Sequence, residues 1–445
     1  MTLKMRSTFL LGIVFILLFQ TFSFALTPQY GIKAEAGLLL DITTGEVLYG
    51  KNPDTPMYPA SLTKALTAIL VLEDLNLDDV VTIDDKSPFV DGSKMYLTPG
   101  EQLTVNQLLN TMLIKSANDA ALALARYHSG TIEAFSEAMN AKAIEIGATG
   151  SNFVNPNGLH DDAHVTTARD LGLIAAYAMK MPEFADIVKK TRLTIAPTNK
   201  QPEIRVYNNS NKLLWAEGSK YKMNYKGSNI NIKYDIVTGV KTGFTNKAQQ
   251  CIIASAKDGE KEMLAVILKT DANSIYSDAR TLLDFGLYEI DSETLIHEND
   301  FVVSYDLNNE KGNKVDLVAK NTVKSYKIKG ETLATAEQNL VMNEGIELPI
   351  QEGETLAILE FVNEGEVIGQ TELIASSSIS DKDMFTEDTK FFNEDKETSI
   401  YVKIGFTVLK VIAALFLWRF IMTFINLQKR KREIRKSKRK NQFKA

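Results

Sequence analysis

Hydrophobic and polar positions along the chain change period from block to block. In residues 34–54 (AEAGLLLDITTGEVLYGKNPD) two short apolar runs flank TTGE, which predicts two strands around a turn. Residues 61–75 place Leu62, Leu66, Ile69 and Leu70 at helical spacing and predict a helix. Residues 103–130 carry the same period but break at KSAND, so two helices are expected, the second stopping at Gly130. Helices are also expected over 132–147 and 168–181. Strand patterns return at 237–244, 249–259 and 261–270, with KDGE as a hairpin turn, and a last helix covers 277–290. Strands, then helices, then strands again predict an α+β fold, an antiparallel sheet flanked by helices plus a helical cluster. From 291 to 378 short alternating segments between Gly, Asn and Glu-rich turns predict a small all-β domain.

Two apolar runs fit neither pattern. Lys4 and Arg6 precede FLLGIVFILLF (9–19) and then Ser23 and Ala25, the layout of an export signal cleaved near Ala25, with an uncleaved anchor as the alternative. The run at 404–427 (IGFTVLKVIAALFLWRFIMTFINL) is long enough to cross a bilayer; an amphipathic helix lying in the interface is the alternative. Lys410 and Arg419 within it must snorkel or face a partner.

Charge sharpens this picture. The net charge is −6, yet residues 429–445 hold ten Lys and Arg against one Glu, so an acidic body ends in a basic tail. Positive charge after the apolar run predicts a cytoplasmic tail and an exported body, and the tail needs no nucleic-acid partner. The lone Cys251 rules out an internal disulfide, and its apolar neighbours predict a buried thiol.

Three short motifs carry candidate chemistry. Ser61 and Lys64 lie three residues apart on one helix face, where a Lys with a depressed pKa can take the Ser proton. A cation in the first turn is disfavoured by the helix dipole, which pushes that way. The bland alternative is a capping Ser beside a solvated Lys, and SKYK (219–222) and SKRK (437–440) match the same spacing. Ser116 and Asn118 sit at the helical break, where a hydroxyl can relay a proton and an amide can hold a substrate carbonyl, or where both simply cap. In VKTGFT (240–245), on an expected edge strand, Lys241 and Thr242 offer a cation and a hydroxyl to a carboxylate while Gly243 allows close approach; a solvated strand edge is the alternative.

The joint occurrence of Ser-x-x-Lys, Ser-x-Asn and Lys-Thr-Gly resembles the penicillin-recognising serine enzymes. YPASLTK, GSKMYLTPGEQLTVNQLLNTMLIKSANDAALALA, NFVNPNGLHDDAHVTTARDLGLIA and GVKTGFTNKAQQCIIASAKDGEKEMLAVIL are similar to the D-alanyl-D-alanine carboxypeptidases among the low-molecular-mass penicillin-binding proteins. The resemblance covers about residues 30–290, and LPIQEGETLAILEF is similar to their second domain. It implies Ser61 as the acylated nucleophile, Lys64 as its base and Ser116 in proton relay. Asn118 would hold the peptide, Lys241, Thr242 and Gly243 would receive the terminal carboxylate, and the Ser61 and Phe244 N–H groups would form an oxyanion hole. No cofactor or metal is implied. The implied partners are peptidoglycan stem peptides ending in D-Ala-D-Ala, β-lactams, and membrane lipid through the C-terminal helix.

The expected organisation is a signal peptide (1–25), a carboxypeptidase domain (26–290), an all-β domain (291–378), a linker (379–399), a membrane helix (400–428) and a cytoplasmic tail (429–445). Ala248, Gln249 and Gln250 depart from the family's small residues after the third motif, and Ser210 and Ile275 stand where some relatives carry Arg. His160 and His164 flank Asp161 and Asp162 without metal-ligand spacing, which favours a structural loop. A β-lactamase of the same fold would need a water-activating carboxylate, and Glu183 and Glu203 have the wrong surroundings. A non-catalytic cell-wall-binding scaffold is the third alternative.

Overall fold

The computed structural model describes residue 26 and residues 28–307, 314–331, 336–363 and 365–380. The signal-like segment, nearly all of the expected linker, the apolar run at 404–427 and the basic tail lie outside the described residues. Among the described residues no helix is long and apolar enough to cross a membrane.

Strands β1 (Ala36–Asp41) and β2 (Val47–Lys51) form the expected hairpin around TTGE. The chain returns to them only after the helices, as β3 (Val237–Thr245), β4 (Gln249–Asp258) and β5 (Lys261–Thr270). The resulting antiparallel sheet has the order β2-β1-β5-β4-β3, which leaves β3 at an edge.

Both faces of this sheet are covered, which is why its strands read as unbroken apolar runs such as LLL and MLAVIL. Leu38, Leu40, Ile253, Leu264 and Val266 enter the core shared with the helical cluster. Their neighbours Leu39, Ile252, Ala254, Ala265 and Ile267 enter a second core on the opposite face, against α7 (Ile275–Asp284). The helix expected over 277–290 thus starts two residues earlier and gives way to a π-helical turn at Phe285–Glu289.

The cluster contains α1 (Lys64–Asp74), α2 (Val105–Ile114), α3 (Asn118–Ser129), α4 (Ile132–Ile146) and α5 (Ala168–Met179). Helix α1 is buried without interruption from Lys64 to Val71 and forms its centre. A capping box of Thr104 and Gln107 starts α2, and Gly130, at φ +78°, ends α3. A short helix α6 (Pro182–Val188), opened by a proline in its first turn, follows where the sequence pattern showed only the end of α5. Three two-stranded ribbons are also absent from the sequence reading: Val80–Thr82 with Gln102–Thr104, Arg192–Ile195 with Arg205–Asn208, and Lys222–Tyr225 with Ser228–Asn231. Strands this short carry too few alternations to reveal a period.

Beyond residue 290 the described chain is all β. Strand β6 (Ile290–Ile296) pairs with β9 (Val323–Ile328). A second five-stranded sheet comprises β7 (Phe301–Asp306), β8 (Lys314–Ala319), β10 (Glu337–Met342), β11 (Thr355–Asn363) and β12 (Glu366–Ala375), in the order β7-β8-β12-β11-β10. Strand β9 reaches the end of β1. Lys324 Nζ and the Tyr326 hydroxyl each donate to Asp41 Oδ2 at 3.0 Å, and Tyr326 Oη lies 2.7 Å from Thr44 Oγ1. Asp41 is fully buried under this contact.

Candidate active site

Ser61 lies in a 3₁₀ turn, Ala60–Thr63, and Lys64 is the first residue of α1, so the regular helix begins three residues later than its apolar spacing predicts. The tighter turn still brings the two side chains together. Lys64 Nζ is 2.9 Å from Ser61 Oγ, 2.7 Å from Asn118 Oδ1 and 2.7 Å from the Asn157 carbonyl oxygen.

Two of those three partners are carbonyl-type oxygens that can only accept. A neutral amine satisfies both with its two protons and turns its lone pair toward the Ser61 hydroxyl. Lys64 is fully buried, and burial pushes its pKa well below the ordinary lysine value. The nearby Lys241 cation pushes the same way, while the buried carboxylate of Asp119 opposes it. Burial therefore takes first place over the helix dipole invoked from sequence. Asp119 is itself held by the N–H groups of Met95, Leu97 and Ala120, each at 3.0 Å.

The break at KSAND works differently from a cap. Ala117 occupies the N-cap position of α3, with no side-chain cap. Ser116 adopts φ +66°, a left-handed conformation costly for a residue with a Cβ, and its Oγ accepts from Lys241 Nζ at 2.8 Å. Asn118 bridges: its Oδ1 accepts from Lys64, and its Nδ2 donates to the Asp91 carbonyl at 2.7 Å.

On the edge strand β3, the period of two sends Lys241 and Gly243 to the buried face, toward the helical cluster. Lys241 is 1% exposed, and its Nζ also donates to the Thr242 carbonyl at 2.8 Å. Burial lowers its pKa to about 7. A Cβ on Gly243 would lie 3.0 Å from the Ser61 nitrogen and 3.1 Å from the Pro59 carbonyl, so only glycine lets the strand approach the nucleophile turn this closely. Thr242 Oγ1 donates to Ser210 Oγ at 2.8 Å, and Phe244 is 57% exposed at the rim.

Ser61, Lys64, Ser116, Asn118, Lys241 and Gly243 thus meet where the helical cluster faces the sheet edge, with Thr242 and Phe244 beside them on β3. Sequence reasoning missed two contributors. Ser210 is one, where the notable feature of the sequence was a missing Arg. The loop NPNG is the other: its Asn157 carbonyl binds Lys64, and Thr67 Oγ1 donates to the Pro156 carbonyl at 2.6 Å. At Gly158, φ +80°, a Cβ would lie 1.8 Å from the Ala60 carbonyl oxygen. A turn-like NPNG was the available signal, but nothing in it points to a lysine elsewhere in the chain.

His160 and His164 separate in role. His160 Nε2 lies 3.3 Å from Asp162, and its ring meets Tyr58 edge-on. His164 is buried, its Nδ1 accepts from the Val154 N–H at 3.0 Å, and its Nε2 is 2.8 Å from Thr63 Oγ1. Burial pushes its pKa down to about 4. Among the described residues no group of three or more His, Cys, Asp or Glu is placed to hold a metal. Cys251 is buried, and its thiol is pushed up to about 12 by desolvation.

Comparison with known proteins follows the same division of the chain. Residues 23–272 match the family described as D-alanyl-D-alanine carboxypeptidase, and residues 291–381 match the penicillin-binding protein 5 C-terminal domain. The chain is 29% identical over 387 residues to D-alanyl-D-alanine carboxypeptidase DacF of Bacillus subtilis, covering 84% of this chain and 94% of that one. It is 29% identical over 391 residues to DacC of Escherichia coli, with 84% and 92% covered. Among solved structures, penicillin-binding protein 5 from Haemophilus influenzae superposes with a TM-score of 0.64 at 26% identity, covering 80% of this chain and 99% of that one. A point mutant of the Streptomyces K15 DD-transpeptidase superposes with a TM-score of 0.51 at 32% identity, covering 58% and 99%.

Proposed function

This chain belongs to the D-alanyl-D-alanine carboxypeptidase family, and from that premise we propose that Ser61 is its acylated nucleophile and Lys64 the base that activates it. The protein is a serine-type D-Ala-D-Ala carboxypeptidase of the cell wall. The observation that carries the residue assignment is the 2.9 Å approach of Lys64 Nζ to Ser61 Oγ, with two acceptor-only oxygens occupying the rest of the amine.

In the reaction, Lys64 takes the Ser61 proton as Oγ attacks the carbonyl of the penultimate D-alanine. The developing oxyanion is received by the Ser61 and Phe244 N–H groups. The C–N bond then breaks, and terminal D-alanine leaves with a proton relayed through Ser116, whose hydroxyl touches Lys241. Lys241, Thr242 and the close approach at Gly243 serve the substrate carboxylate, with Asn118 along the peptide. Water attacks the acyl-enzyme and restores Ser61. A β-lactam enters by the same attack, its opened ring remaining attached to Ser61.

We further place the catalytic cleft outside a membrane to which the chain is attached through 400–428. The signal-like start and the basic residues after the apolar run support this. Fractionation and protease protection of the whole chain, with and without residues 400–445, test it; a chain that sediments with membranes equally well without them would oppose it.

Catalysis is tested by D-alanine release from a peptide ending in D-Ala-D-Ala. Wild type should release one D-alanine per peptide and Ser61→Ala none; release by the variant would remove Ser61 from the mechanism.

A further inference from the structure

The turn that carries Ser61 holds an unusual peptide unit. Ala60, 1% exposed, has φ +49°, a left-handed conformation for a residue with a Cβ. Its carbonyl and the Ser61 N–H belong to the same planar amide, so whatever fixes the direction of one fixes the other. The Ser61 nitrogen faces strand β3, 3.0 Å from the position a Cβ would take on Gly243.

Three hydrogen bonds run in one determined direction to that carbonyl. The Val154 N–H can only donate, and it donates to His164 Nδ1 at 3.0 Å. Nδ1 therefore bears no proton, and the neutral ring carries its proton on Nε2. Nε2 then donates to Thr63 Oγ1 at 2.8 Å, which leaves the threonine proton for the Ala60 carbonyl oxygen at 2.9 Å. Gly158 packs against the same carbonyl and against Thr63 Oγ1, so closely that no side chain fits there. The segment just after His164 is tied to the residues leading into the nucleophile turn by paired Met57 and Thr166 backbone bonds at 2.7 and 2.9 Å.

We propose that His164 and Thr63 are positioning residues for the oxyanion donor: they hold the Ala60–Ser61 peptide so that the Ser61 N–H points at the developing charge. A hydrogen bond accepted at the carbonyl also polarises the N–H of the same amide and strengthens it as a donor. The device stands one bond removed from the chemistry, since neither side chain needs to touch substrate. It gives the buried His164, which the acyl-transfer steps leave unused, a function in the same reaction, and it rests on Ser61 being the acylated residue. The neutral state required of the ring fits a histidine whose pKa burial has pushed down to about 4.

The test compares Thr63→Val, which keeps shape and removes the hydroxyl, with Thr63→Ser, which keeps the hydroxyl, and His164→Phe with His164→Gln, whose amide nitrogen can replace Nε2. Turnover of a D-Ala-D-Ala peptide and affinity for a boronic acid, which forms a tetrahedral adduct on the serine, are measured on protein counted by penicillin titration. Thr63→Val and His164→Phe should each lose roughly tenfold in kcat and the same factor in boronate affinity, with KM nearly unchanged, because only the transition state loses stabilisation. Thr63→Ser and His164→Gln should stay within about threefold of wild type on the same reasoning. The double variant Thr63→Val/His164→Phe should be no worse than either alone, since both cut one chain. Thr63→Val within twofold of wild type, a loss confined to KM, or additive losses would overturn the proposal. A variant that fails to fold leaves its conservative counterpart and the other position to decide. Wild type that binds no penicillin covalently would instead remove the acyl-enzyme premise, a distinguishable failure.

Discussion

Lys64 Nζ and Ser61 Oγ meet at 2.9 Å across a 3₁₀ turn that leads into α1. The amine is fully buried and its other two partners are Asn118 Oδ1 and the Asn157 carbonyl. Lys64→Ala should therefore lower the rate of Ser61 acylation by roughly 10³-fold, the middle of the range for a positioned general base. Stopped-flow acylation by a penicillin measures it, and a loss below tenfold would assign the base elsewhere.

Asn118→Ala probes the same amine from the other side. It removes one acceptor from Lys64 and the donor to the Asp91 carbonyl. Acylation should fall by roughly tenfold to a hundredfold, and thermal stability should drop by about 1–2 kcal/mol for the buried group left unpaired. Unchanged acylation together with unchanged stability would contradict the bridging role.

The two buried lysines make opposite demands on pH. Lys64 must be neutral to act, and burial favours that form, so activity falls as pH drops far enough to protonate it. Lys241 must be charged to attract a carboxylate, and its pKa of about 7 means that charge is lost as pH rises past neutrality. A bound carboxylate holds the proton in place, so the alkaline limb belongs in kcat/KM, which reports the free enzyme, and not in kcat. The limb near pH 7 should appear with a free C-terminal carboxylate and vanish with a C-terminal amide. Stability carries the same signature. Between about 7 and the ordinary 10.5 the unfolded chain binds more protons at Lys241 than the folded one, so stability rises with pH there and is lost as pH falls toward 7. Denaturation midpoints at pH 7 and pH 9 check the sign.

Much of this arrangement was legible in the sequence because it is written in runs. The β1–β2 hairpin, the break between α2 and α3 and the three returning strands each span enough residues to show a period or a stop. Lys241, Thr242 and Gly243 could be assigned to an edge strand for the same reason, whereas the burial of Lys241 and Gly243 on one face emerged from the structure. What stayed hidden depends on a single tertiary contact: the Asn157 carbonyl on Lys64, the Ser210 hydroxyl on Thr242, the His164 nitrogens on Thr63. At Ser116 the sequence left relay and capping side by side, because capping and site geometry draw on the same residue types; the residue is left-handed under Lys241 and caps no helix. The downward direction of the Lys64 shift was legible, but its leading cause was not, since a sequence shows a helix start and not the burial around it.

Two glycines separate structural from catalytic tightness. Gly158→Ala should be severe, costing more than about 3 kcal/mol, because φ is +80° and the new methyl would overlap the Ala60 carbonyl, which is backbone and cannot move aside alone. Gly243→Ala meets its neighbours at 3.0 to 3.2 Å, so the fold should persist while the gap between strand and nucleophile turn widens. Acylation should fall by roughly tenfold with a melting temperature within a few degrees of wild type. Equal stability losses in both variants would contradict this ranking.

The all-β segment is fastened to the sheet through Asp41. Asp41→Asn removes the charge that Lys324 and Tyr326 share, leaving a buried lysine contact uncompensated. Stability should fall by about 2–4 kcal/mol, below the largest losses for broken buried pairs because Lys324 retains some exposure. Penicillin acylation per folded molecule should be unchanged, as the contact lies away from the Ser61 cleft. A melting temperature equal to wild type would deny the contact any part in holding the segment.

The central claim is that Ser61 is the residue that becomes acylated, and intact-mass spectrometry of the whole chain after exposure to a penicillin tests it most directly. Wild type should gain the mass of one intact penicillin, located by peptide mapping on the segment containing Ser61, and Ser61→Ala should gain none. An adduct that persists in Ser61→Ala, or a wild type that stays unmodified, would contradict the assignment.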